Sequence, residues 1–370
     1  MKIALVYDHL NKKGGAEEIL QSLSELYPSS PWYTSVHAPQ ELALTRAWKV
    51  IPSFLNKLPF FRTRHELIPF LMPFAFESFD FRSYDLVISV GSMSKGIITG
   101  AHTLHVNYCL TPTRWLWSHS QAYLDNNQFG TLQKLVRPLI FKIMEILRHW
   151  DTIASTRPDE MISISQHVKS RVKRYYHRDS VVIYPPVDTK KFEMRGIVPK
   201  ISNYYLVVSR LVPYKNIDLV VRAFKTSKRP LVVVGTGVLT RKLKQLAGEN
   251  IFFPGFVSDL ELVGFYQHAR AFIQANEEDF GIGMCEALSA GVPVIAYNGG
   301  GAREVVTNGQ NGLLFNSIEP QSLNQAVDSF ETMNFAPSAC KASVHKFDKV
   351  QWKHEFEERI ATLCQKHNQK

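Results

Sequence analysis

Two glutamates that lie eight residues apart, Glu278 and Glu286, carry the clearest chemical pattern in this sequence. Between them stand Gly281 and Gly283, where a loop passes into a run of helix-forming residues. Glycine allows a tight turn, and the free N–H groups of a helix's first turn attract phosphate. The amides of Gly281, Ile282 and Gly283 are therefore predicted to bind a phosphate. Glu286, about one turn into the helix, would accept hydrogen bonds from ribose hydroxyls, and Glu278 would face a sugar.

Two cations, Arg210 and Lys215, follow the apolar run at residues 204–209, which is typical of a buried strand. Ligands of α/β sheets bind beyond the carboxyl ends of the strands. An arginine grips a phosphate through two hydrogen bonds, and a lysine adds a point charge. The pair is therefore predicted to neutralise a pyrophosphate leaving group without a metal ion. The alternative is a pair of solvated surface charges.

Short apolar runs alternate with stretches of helical periodicity along the whole chain. Strands are predicted at residues 3–7, 86–90, 103–109, 161–164, 204–209, 231–234, 251–253, 271–274 and 293–296. Helices are predicted at residues 16–27, 133–150 (with a kink at Pro138), 217–224 and 352–364. Strands that alternate with helices are typical of a doubly wound α/β sheet.

The pattern breaks at Pro185 and Pro186, because two consecutive prolines cannot continue a helix or a central strand. We therefore place a hinge there and divide the chain into residues 1–187 and 188–350, each a Rossmann-like α/β domain. The two domains are expected to face each other across a cleft. The last predicted helix, within residues 351–370, could pack on either domain or cross back to the first.

The composition favours a globular protein with anionic partners. Hydrophobic residues make up 45% and charged residues 21% of the chain, which excludes a disordered, collagen-like or coiled-coil protein. The formal net charge of +10 favours phosphorylated metabolites, an anionic membrane or nucleic acid as partners. No recognised nucleic-acid-binding motif accompanies the charge, so nucleic acid is not expected.

The cysteines and the apolar runs indicate the compartment. The four cysteines lie far apart and form no CxxC pair, so neither a disulfide framework nor a zinc site is expected. The apolar run after Met1 is too short for a signal peptide, and no apolar stretch of about 18 residues predicts a transmembrane helix. The resulting expectation is a cytoplasmic protein that can still contact the inner face of the cell membrane.

These motifs resemble the retaining glycosyltransferases of family 4, which have the GT-B fold, and the likeness extends over essentially the whole chain. The spacing of Glu278 and Glu286, and that of Arg210 and Lys215, is similar to the donor-site motifs of that family. Further similar segments are 184–188 (YPPVD), 290–296 (AGVPVIA), 299–304 (GGGARE), 255–259 (GFVSD) and the glycine loop that contains Gly14 and Gly15.

The resemblance implies transfer of a hexose from a nucleotide sugar, with retention at the anomeric carbon. The second domain would bind the donor and the first the acceptor. Arg210 and Lys215 would stabilise the departing diphosphate, and Val257 would hold the base through backbone groups. Gly14 and Gly15 would lie close to the donor phosphates and the acceptor.

The resemblance also implies that no metal or other cofactor is required. It is greatest for the mannosyltransferase-like branch of bacterial surface-polysaccharide enzymes. GDP-mannose is therefore the first expected donor, and a UDP-hexose is the next.

The sequence departs from the family at one position. Residues 108–117 resemble a YxHTPxR stretch of the mannosyltransferase-like branch, but Leu110 stands where that branch has a histidine near the donor sugar. His9, His105 and His119 are candidates to compensate, and none of them is assigned. The departure motivates an alternative function, a catalytically weak GT-B scaffold that binds a partner enzyme.

Residues 52–81 interleave aromatic and basic residues. The phenylalanines are Phe54, Phe60, Phe61, Phe70, Phe74, Phe76, Phe79 and Phe81. Two interpretations stay open, an interfacial surface for anionic lipid and simple packing of the first domain. A lipid surface would suit a lipid-linked glycan acceptor in polysaccharide biosynthesis. A soluble acceptor, such as a sugar phosphate, is the alternative.

Overall fold

The structure, a computed structural model, describes residues 1–12, 14–58, 62, 69–118, 120 and 133–369. The chain divides into two compact units. Unit 1 comprises Met1–Tyr184 and Lys353–Lys370, and unit 2 comprises Pro185–Trp352. From the sequence, the domain limits were placed after residues 187 and 350. The acceptor and donor roles of the two domains, and the cleft between them, stay predictions.

Unit 1 is built on a parallel sheet. Its strands are β1 (Ile3–Tyr7), β2 (Trp32–Thr34), β3 (Val50–Pro52), β4 (Leu86–Val90), β5 (Leu104–Cys109), β6 (Glu160–Ser163) and β7 (Val181–Val182). They lie in the order β3-β2-β1-β4-β5-β6-β7, with every neighbouring pair parallel. The central strands β4 and β5 are buried throughout, which the largely apolar sequence of β4 favours. The two polar side chains of β5, His105 and Asn107, hydrogen-bond to Ser89 of β4.

Unit 2 repeats this order of strands. Its strands are β8 (Tyr204–Val208), β9 (Leu231–Val234), β10 (Ile251–Gly255), β11 (Ala269–Gln274), β12 (Val294–Tyr297) and β13 (Gly312–Phe315). They lie in the order β10-β9-β8-β11-β12-β13, again all parallel. The order reverses between β8 and β11, as it does between β1 and β4 in unit 1. This is the arrangement of a doubly wound sheet, so the predicted α/β class is confirmed.

Four strands of the structure were not predicted from the sequence: β2, β3, β7 and β13. They contain only two to four residues each. An apolar run this short cannot be told from a loop by its periodicity, and pairing with a neighbouring strand is what makes it extended. β3 ends at Pro52, which is tolerated because β3 lies at the edge of its sheet.

The helices of unit 1 are α1 (Glu17–Leu26), α2 (Met72–Glu77), α3 (Gln133–Ala154) and α4 (Gln166–Tyr176). Those of unit 2 are α5 (Ile217–Ser227), α6 (Thr240–Leu246), α7 (Asp259–Gln267), α8 (Ile282–Ser289), α9 (Ala302–Val305), α10 (Pro320–Glu331) and α11 (Pro337–Ser343). A last helix, α12 (Lys349–His367), begins in unit 2 and continues in unit 1. The four helices predicted from the sequence are present, and α3 continues through Pro138 beyond its predicted end.

Most of α12 packs on unit 1. Lys353 pairs with Glu25 of α1 at 2.7 Å, and Phe356 contacts the Tyr108 ring of β5 edge-on, with 5.7 Å between centroids. A further ion pair joins Arg359 to the start of β6. These contacts attach the helix to two strands and one helix of a unit that otherwise ends at residue 184.

A buried carboxylate organises one end of unit 1. Asp151, on α3, accepts hydrogen bonds from the Trp117 indole at 2.7 Å, the Tyr176 hydroxyl at 2.8 Å and the Thr113 hydroxyl at 3.0 Å. It also forms an ion pair with Lys95, and neither side chain is exposed. A buried charge is costly unless it is paired and hydrogen-bonded, and this carboxylate satisfies both conditions.

The phenylalanines of residues 52–81 divide between the core and the surface. Those packed in unit 1 are Phe76, Phe79 and Phe81. Those with exposed rings are Phe54, Phe70 and Phe74. Phe60 and Phe61 lie outside the described residues. Core packing therefore accounts for part of the segment, and the lipid surface stays a prediction. In the described ranges, no helix is long and apolar enough to cross a bilayer.

His105 is a structural residue of the sheet. It lies on β5 with no exposed surface, and one ring nitrogen, Nε2, is 2.8 Å from the Ser89 hydroxyl. Burial, together with the positive charges of Arg178 and Arg157, lowers the pKa of His105 to about 3. The native protein therefore keeps this histidine neutral, whereas the unfolded chain binds a proton near pH 6.5.

Replacing His105 is expected to change how stability depends on pH. Between pH 6.5 and 3, the unfolded chain gains a proton at His105 that the native state does not, so this residue destabilises the protein as pH falls. From pH 7 to pH 5, wild type should lose about 2 kcal/mol more unfolding free energy than His105→Gln. The measurement is denaturant unfolding at both pH values. His354→Gln, at an exposed position, is the control and should follow wild type; parallel losses in wild type and His105→Gln would contradict the assignment.

Candidate functional site

The loops that follow β8 and β11 meet where the strand order of unit 2 reverses. β8 and β11 are neighbours in the sheet and run parallel, so their carboxyl ends lie side by side. Lys215 follows β8 and Glu278 follows β11. At such a reversal the two loops lead away to opposite faces of the sheet and leave an open crevice for a ligand.

Lys215 and Glu278 form an ion pair at this point. Their side chains are only 16% and 14% exposed. The Gln274 amide lies 3.4 Å from the same carboxylate oxygen, and the Lys215 ammonium lies 5.3 Å from the centroid of the Tyr214 ring. The structure thus brings together two of the residues predicted to be catalytic, 63 positions apart in the chain.

Arg210 lies on the same loop as Lys215 but makes a different contact. Its guanidinium donates a hydrogen bond of 2.7 Å to the Tyr214 hydroxyl, and the side chain is exposed. Arg210 is therefore held at the surface of the loop, whereas Lys215 lies deeper. Binding of a diphosphate by the two cations stays a prediction.

Three amide side chains support this site and were not predicted from the sequence. Asn216 has a left-handed backbone (φ 54°) and donates a hydrogen bond of 3.2 Å to the Ala275 carbonyl, which joins the two loops. Gln274 and Asn276 are buried and hydrogen-bond to each other. The available signal was the presence of polar residues directly after the apolar run of β11.

The glycines near α8 have two different roles. Gly281 is the N-cap of the helix and has φ +97°, a conformation that favours glycine. The prediction that Gly283 also serves the tight turn is wrong, because Gly283 lies inside the helix. A Cβ atom there would lie 3.1 Å from the Phe272 ring and 3.5 Å from the Tyr266 hydroxyl. Gly283 therefore lets the first turn of α8 pack closely against the Phe272 ring.

The first amides of α8 remain the predicted phosphate site. The helix has no side-chain hydrogen bond at its N-cap. In its first turn the Met284 amide donates a hydrogen bond of 3.0 Å to the Gly281 carbonyl, whereas the two amides before it are too early in the helix to have an intrahelical acceptor. Ile282 and Gly283 provide these two amides. Phosphate binding at these amides stays a prediction.

The GGGARE segment holds the backbone of Glu278. The Gly301 amide donates a hydrogen bond of 2.8 Å to the Glu278 carbonyl. Gly300 has φ +59°, and a Cβ atom on it would overlap that same carbonyl. The absence of side chains at these glycines therefore allows the loop before α9 to lie directly against the residue that pairs with Lys215.

Glu286 is held by a buried tyrosine. One oxygen of its carboxylate, Oε2, accepts a hydrogen bond of 2.7 Å from Tyr266 on α7. The negative charge also raises the pKa of the neighbouring Cys285 thiol, for which burial is the larger cause. The predicted contact between Glu286 and a ribose is not tested by this geometry.

The segment predicted to hold the base follows β10. Val257 is half-buried, and Phe256 beside it is 77% exposed. The Gly255 carbonyl accepts a hydrogen bond of 2.8 Å from the Gly235 amide, which places this segment beside the loop after β9. Ser258 and Glu261 then form a capping box that starts α7. The role of Val257 stays a prediction.

In unit 1, the amides of the glycine loop already bind a carboxylate of the protein itself. The amides of Gly14 and Gly15 donate hydrogen bonds of 2.6 and 2.8 Å to the two carboxylate oxygens of Glu17. Glu17 lies three positions after Gly14 and two after Gly15, and this spacing was the sequence signal for the contact. A donor phosphate that used the same amides would compete with Glu17.

The residues discussed in connection with the missing histidine lie in different places. Leu110 directly follows β5, at the carboxyl edge of the sheet, and His9 lies just beyond β1, with its ring 5.7 Å from that of Tyr7. His105 is buried within the sheet and cannot compensate at that edge. His119 lies outside the described residues.

Metal binding is not indicated by the side chains that the structure describes. Among them, no three histidine, cysteine, aspartate or glutamate residues are grouped so that they could hold a metal ion.

A family model matches the sequence of unit 2, and solved structures match the fold of nearly the whole chain. Residues 188–346 match the family model described as "Glycosyl transferases group 1". An uncharacterized glycosyltransferase of Methanocaldococcus jannaschii, MJ1178, is 27% identical over 190 residues, which are 49% of this chain and 52% of that protein. A GDP-mannose-dependent alpha-(1-6)-phosphatidylinositol monomannoside mannosyltransferase of Mycobacterium tuberculosis is 30% identical over 204 residues, 46% of this chain and 51% of that protein. The chain thus spans about half the length of the curated relatives it matches.

A solved structure shares the whole fold. Anabaena Alr3699/HepE in complex with UDP and glucose has a TM-score of 0.70 at 20% identity, over 98% of this chain and 99% of that chain. The two parallel-sheet α/β units therefore have the GT-B fold. The group 1 match and this fold support a GT-B glycosyltransferase. The predicted fold class is confirmed, whereas family 4 and retention at the anomeric carbon are finer assignments that these GT-B matches do not test.

The loops after β8 and β9 lie so close that one added methyl group should destabilise unit 2. Gly235 has φ +120°, and a Cβ atom on it would overlap the Ser209 carbonyl oxygen. Gly309 is the matched control, because its φ is +79° and the nearest atom to a Cβ would be Met333 Cε at 3.7 Å. Gly235→Ala is expected to lower the unfolding free energy by about 2 kcal/mol more than Gly309→Ala, since the clash adds to similar backbone strain. Denaturant unfolding measures the difference; equal losses would contradict the close approach.

Proposed function

We propose that this chain is a retaining glycosyltransferase of family 4 that transfers a hexose from a nucleotide sugar. The observation that carries the proposal is the Lys215–Glu278 pair at the strand-order reversal of unit 2. The N-terminus of α8 follows shortly after Glu278 in the chain and offers free amides. A cation, a carboxylate and a helix N-terminus together match the needs of a sugar attached to a diphosphate.

The proposed reaction is a displacement on the face of the sugar that the leaving group occupies. The bond between the anomeric carbon and the diphosphate oxygen breaks, and its electron pair stays on the diphosphate. The acceptor hydroxyl oxygen then bonds to the same carbon, and its proton passes to the departing diphosphate. Arg210 and Lys215 stabilise the growing negative charge, as do the amides of residues 281–283. Glu278 orients the sugar hydroxyls, and no protein nucleophile takes part.

For the donor, we propose GDP-mannose first and a UDP-hexose next. The mycobacterial relative, by its name, is GDP-mannose-dependent, and the Anabaena structure contains UDP and glucose. Both classes share the ribose and the diphosphate, for which Glu286 and the two cations are proposed. The base would meet Val257 and its neighbours after β10.

Removing the two cations should weaken donor binding strongly. Wild-type protein is titrated with GDP, GDP-mannose, UDP and UDP-glucose, and its melting temperature is expected to rise with one nucleotide family, which identifies the base. Arg210→Ala/Lys215→Ala should bind that nucleotide at least about 30-fold more weakly, because two charge-assisted contacts to phosphate are lost.

The control for this titration is Lys191→Ala/Arg229→Ala. Like the test variant, it removes one lysine and one arginine from unit 2. Lys191 is ion-paired with Asp259, and Arg229 is ion-paired with Asp328. Unchanged affinity in the Arg210/Lys215 variant would contradict the proposed diphosphate site. If wild type binds none of the four nucleotides, the catalytically weak scaffold becomes the better function.

For the acceptor, we propose a lipid-linked glycan of polysaccharide biosynthesis, extended at the inner face of the cell membrane. Exposed aromatic rings of unit 1 support a peripheral lipid contact, with Phe74 60% exposed. Exposed cations in the same part of the chain are Arg46, Lys49 and Lys57. Aromatic side chains beside cations favour the interface of an anionic bilayer.

Binding to anionic vesicles is expected to depend on the exposed phenylalanines of unit 1. Phe54→Ser/Phe74→Ser should weaken cosedimentation with phosphatidylglycerol vesicles by about tenfold or more, since two rings no longer leave water. Phe252→Ser/Phe256→Ser, in unit 2, removes two exposed rings and should bind as wild type does. Wild type that stays in the supernatant would favour the soluble acceptor.

A further inference from the structure

Tyr266 is buried in unit 2 with its hydroxyl directed at Glu286. It lies on α7 with no exposed surface. The Phe192 ring meets it edge-on, with 5.4 Å between centroids, and the Phe272 ring lies 5.8 Å away at 31°. Its hydroxyl donates a hydrogen bond of 2.7 Å to Glu286 Oε2. A tightly packed ring of α7 therefore donates a hydrogen bond to a carboxylate of α8.

The direction of this hydrogen bond is determined by the two groups. A carboxylate can only accept, and the tyrosine hydroxyl has a single proton to donate. Burial and the negative charge of Glu286 raise the pKa of Tyr266 well above its usual range. The hydroxyl therefore stays protonated at neutral pH, and its proton is committed to Oε2.

The packing around the hydroxyl is built from three elements. Gly283 of α8 stands where a Cβ atom would lie 3.5 Å from the Tyr266 hydroxyl and 3.1 Å from Phe272 Cζ. The glycine thus lets the Phe272 ring of β11 pack closely against the first turn of α8, beside the Tyr266 hydroxyl. Because the Tyr266 ring is packed against Phe192 and Phe272, its hydroxyl has little freedom to follow a carboxylate that rotates.

We propose that Tyr266 is a positioning residue, which fixes the orientation of the Glu286 carboxylate for the hydroxyls of a nucleotide ribose. The proposal rests on the proposed function, in which Glu286 accepts hydrogen bonds from the ribose. A hydrogen bond at Oε2 restricts rotation about the last bond of the glutamate side chain. The carboxylate then meets the ribose diol without the entropic cost of being ordered at the moment of binding.

The test is Tyr266→Phe, which removes one oxygen atom from the ring. Isothermal titration calorimetry of wild type and variant uses GDP and UDP, each beside its 2′,3′-dideoxy analogue. We expect the variant to bind the preferred ribonucleotide about 5- to 20-fold more weakly than wild type does. Its affinity for the dideoxy analogue should equal that of wild type, because the analogue lacks the hydroxyls that Glu286 is proposed to bind.

The matched control is Tyr204→Phe. Tyr204 is also buried in unit 2, and its hydroxyl donates a hydrogen bond of 2.8 Å to the Phe265 carbonyl rather than to Glu286. Both variants lose one buried hydrogen bond, so their melting temperatures should fall by similar amounts. Only Tyr266→Phe should change the ratio of ribonucleotide affinity to dideoxynucleotide affinity.

A second pair of variants gives an independent readout. Glu286→Ala, which leaves the Tyr266 hydroxyl no carboxylate to orient, should reduce the preference of the protein for ribonucleotides, and adding Tyr266→Phe to it should change affinity no further. Full additivity of the two substitutions would overturn the proposal, as would a Tyr266→Phe variant that weakens both nucleotide forms equally or neither of them. Wild type that binds no nucleotide at all would instead overturn the proposed function, and the role of Tyr266 with it.

Discussion

In each sheet the strand order reverses next to its first strand, and in both units a carboxylate joins the two loops that leave the sheet there. Loops that leave the sheet in opposite directions would separate there unless something joined them. In unit 2 the Lys215–Glu278 ion pair joins the loops after β8 and β11, and Asn216 joins them a second time through the Ala275 carbonyl. A ligand that binds there must exchange one ionic partner for another, and a pair formed by side chains allows that exchange.

In unit 1 the loops after β1 and β4 are joined by a contact that a ligand cannot easily replace. The Asp8 carboxylate, directly after β1, accepts hydrogen bonds from the amides of Ser92, Met93 and Ser94, at 2.7 to 3.0 Å. A Cβ atom at Gly91 would lie 2.7 Å from that carboxylate, so the turn after β4 fits closely over it. Three backbone donors keep this acid in place, which makes the reversal of unit 1 a structural joint. The buried Asp151 has a comparable function further along the same unit.

Much of the candidate site could be predicted because its residues follow recognisable strands. Lys215 and Glu278 come after strands of five and six residues with apolar stretches that can be recognised in the sequence, and parallel strands bring their carboxyl ends to one edge. The role of Gly283 could not be predicted, because it depends on Phe272 and Tyr266, which only the packing of three elements places beside it. Short strands such as β7 were missed for a related reason, since two residues carry no periodicity of their own.

Helix α12 has a consequence for the order in which the protein is made. The ribosome completes residues 1–184 of unit 1 first and then all of unit 2, but the segment that pairs with Glu25 and Glu160 emerges only afterwards. The second unit can therefore reach its native state while the first still exposes the apolar surface around Tyr108 that Phe356 will cover. Unit 1, most of which is synthesised first, therefore completes its fold only after unit 2 has been synthesised.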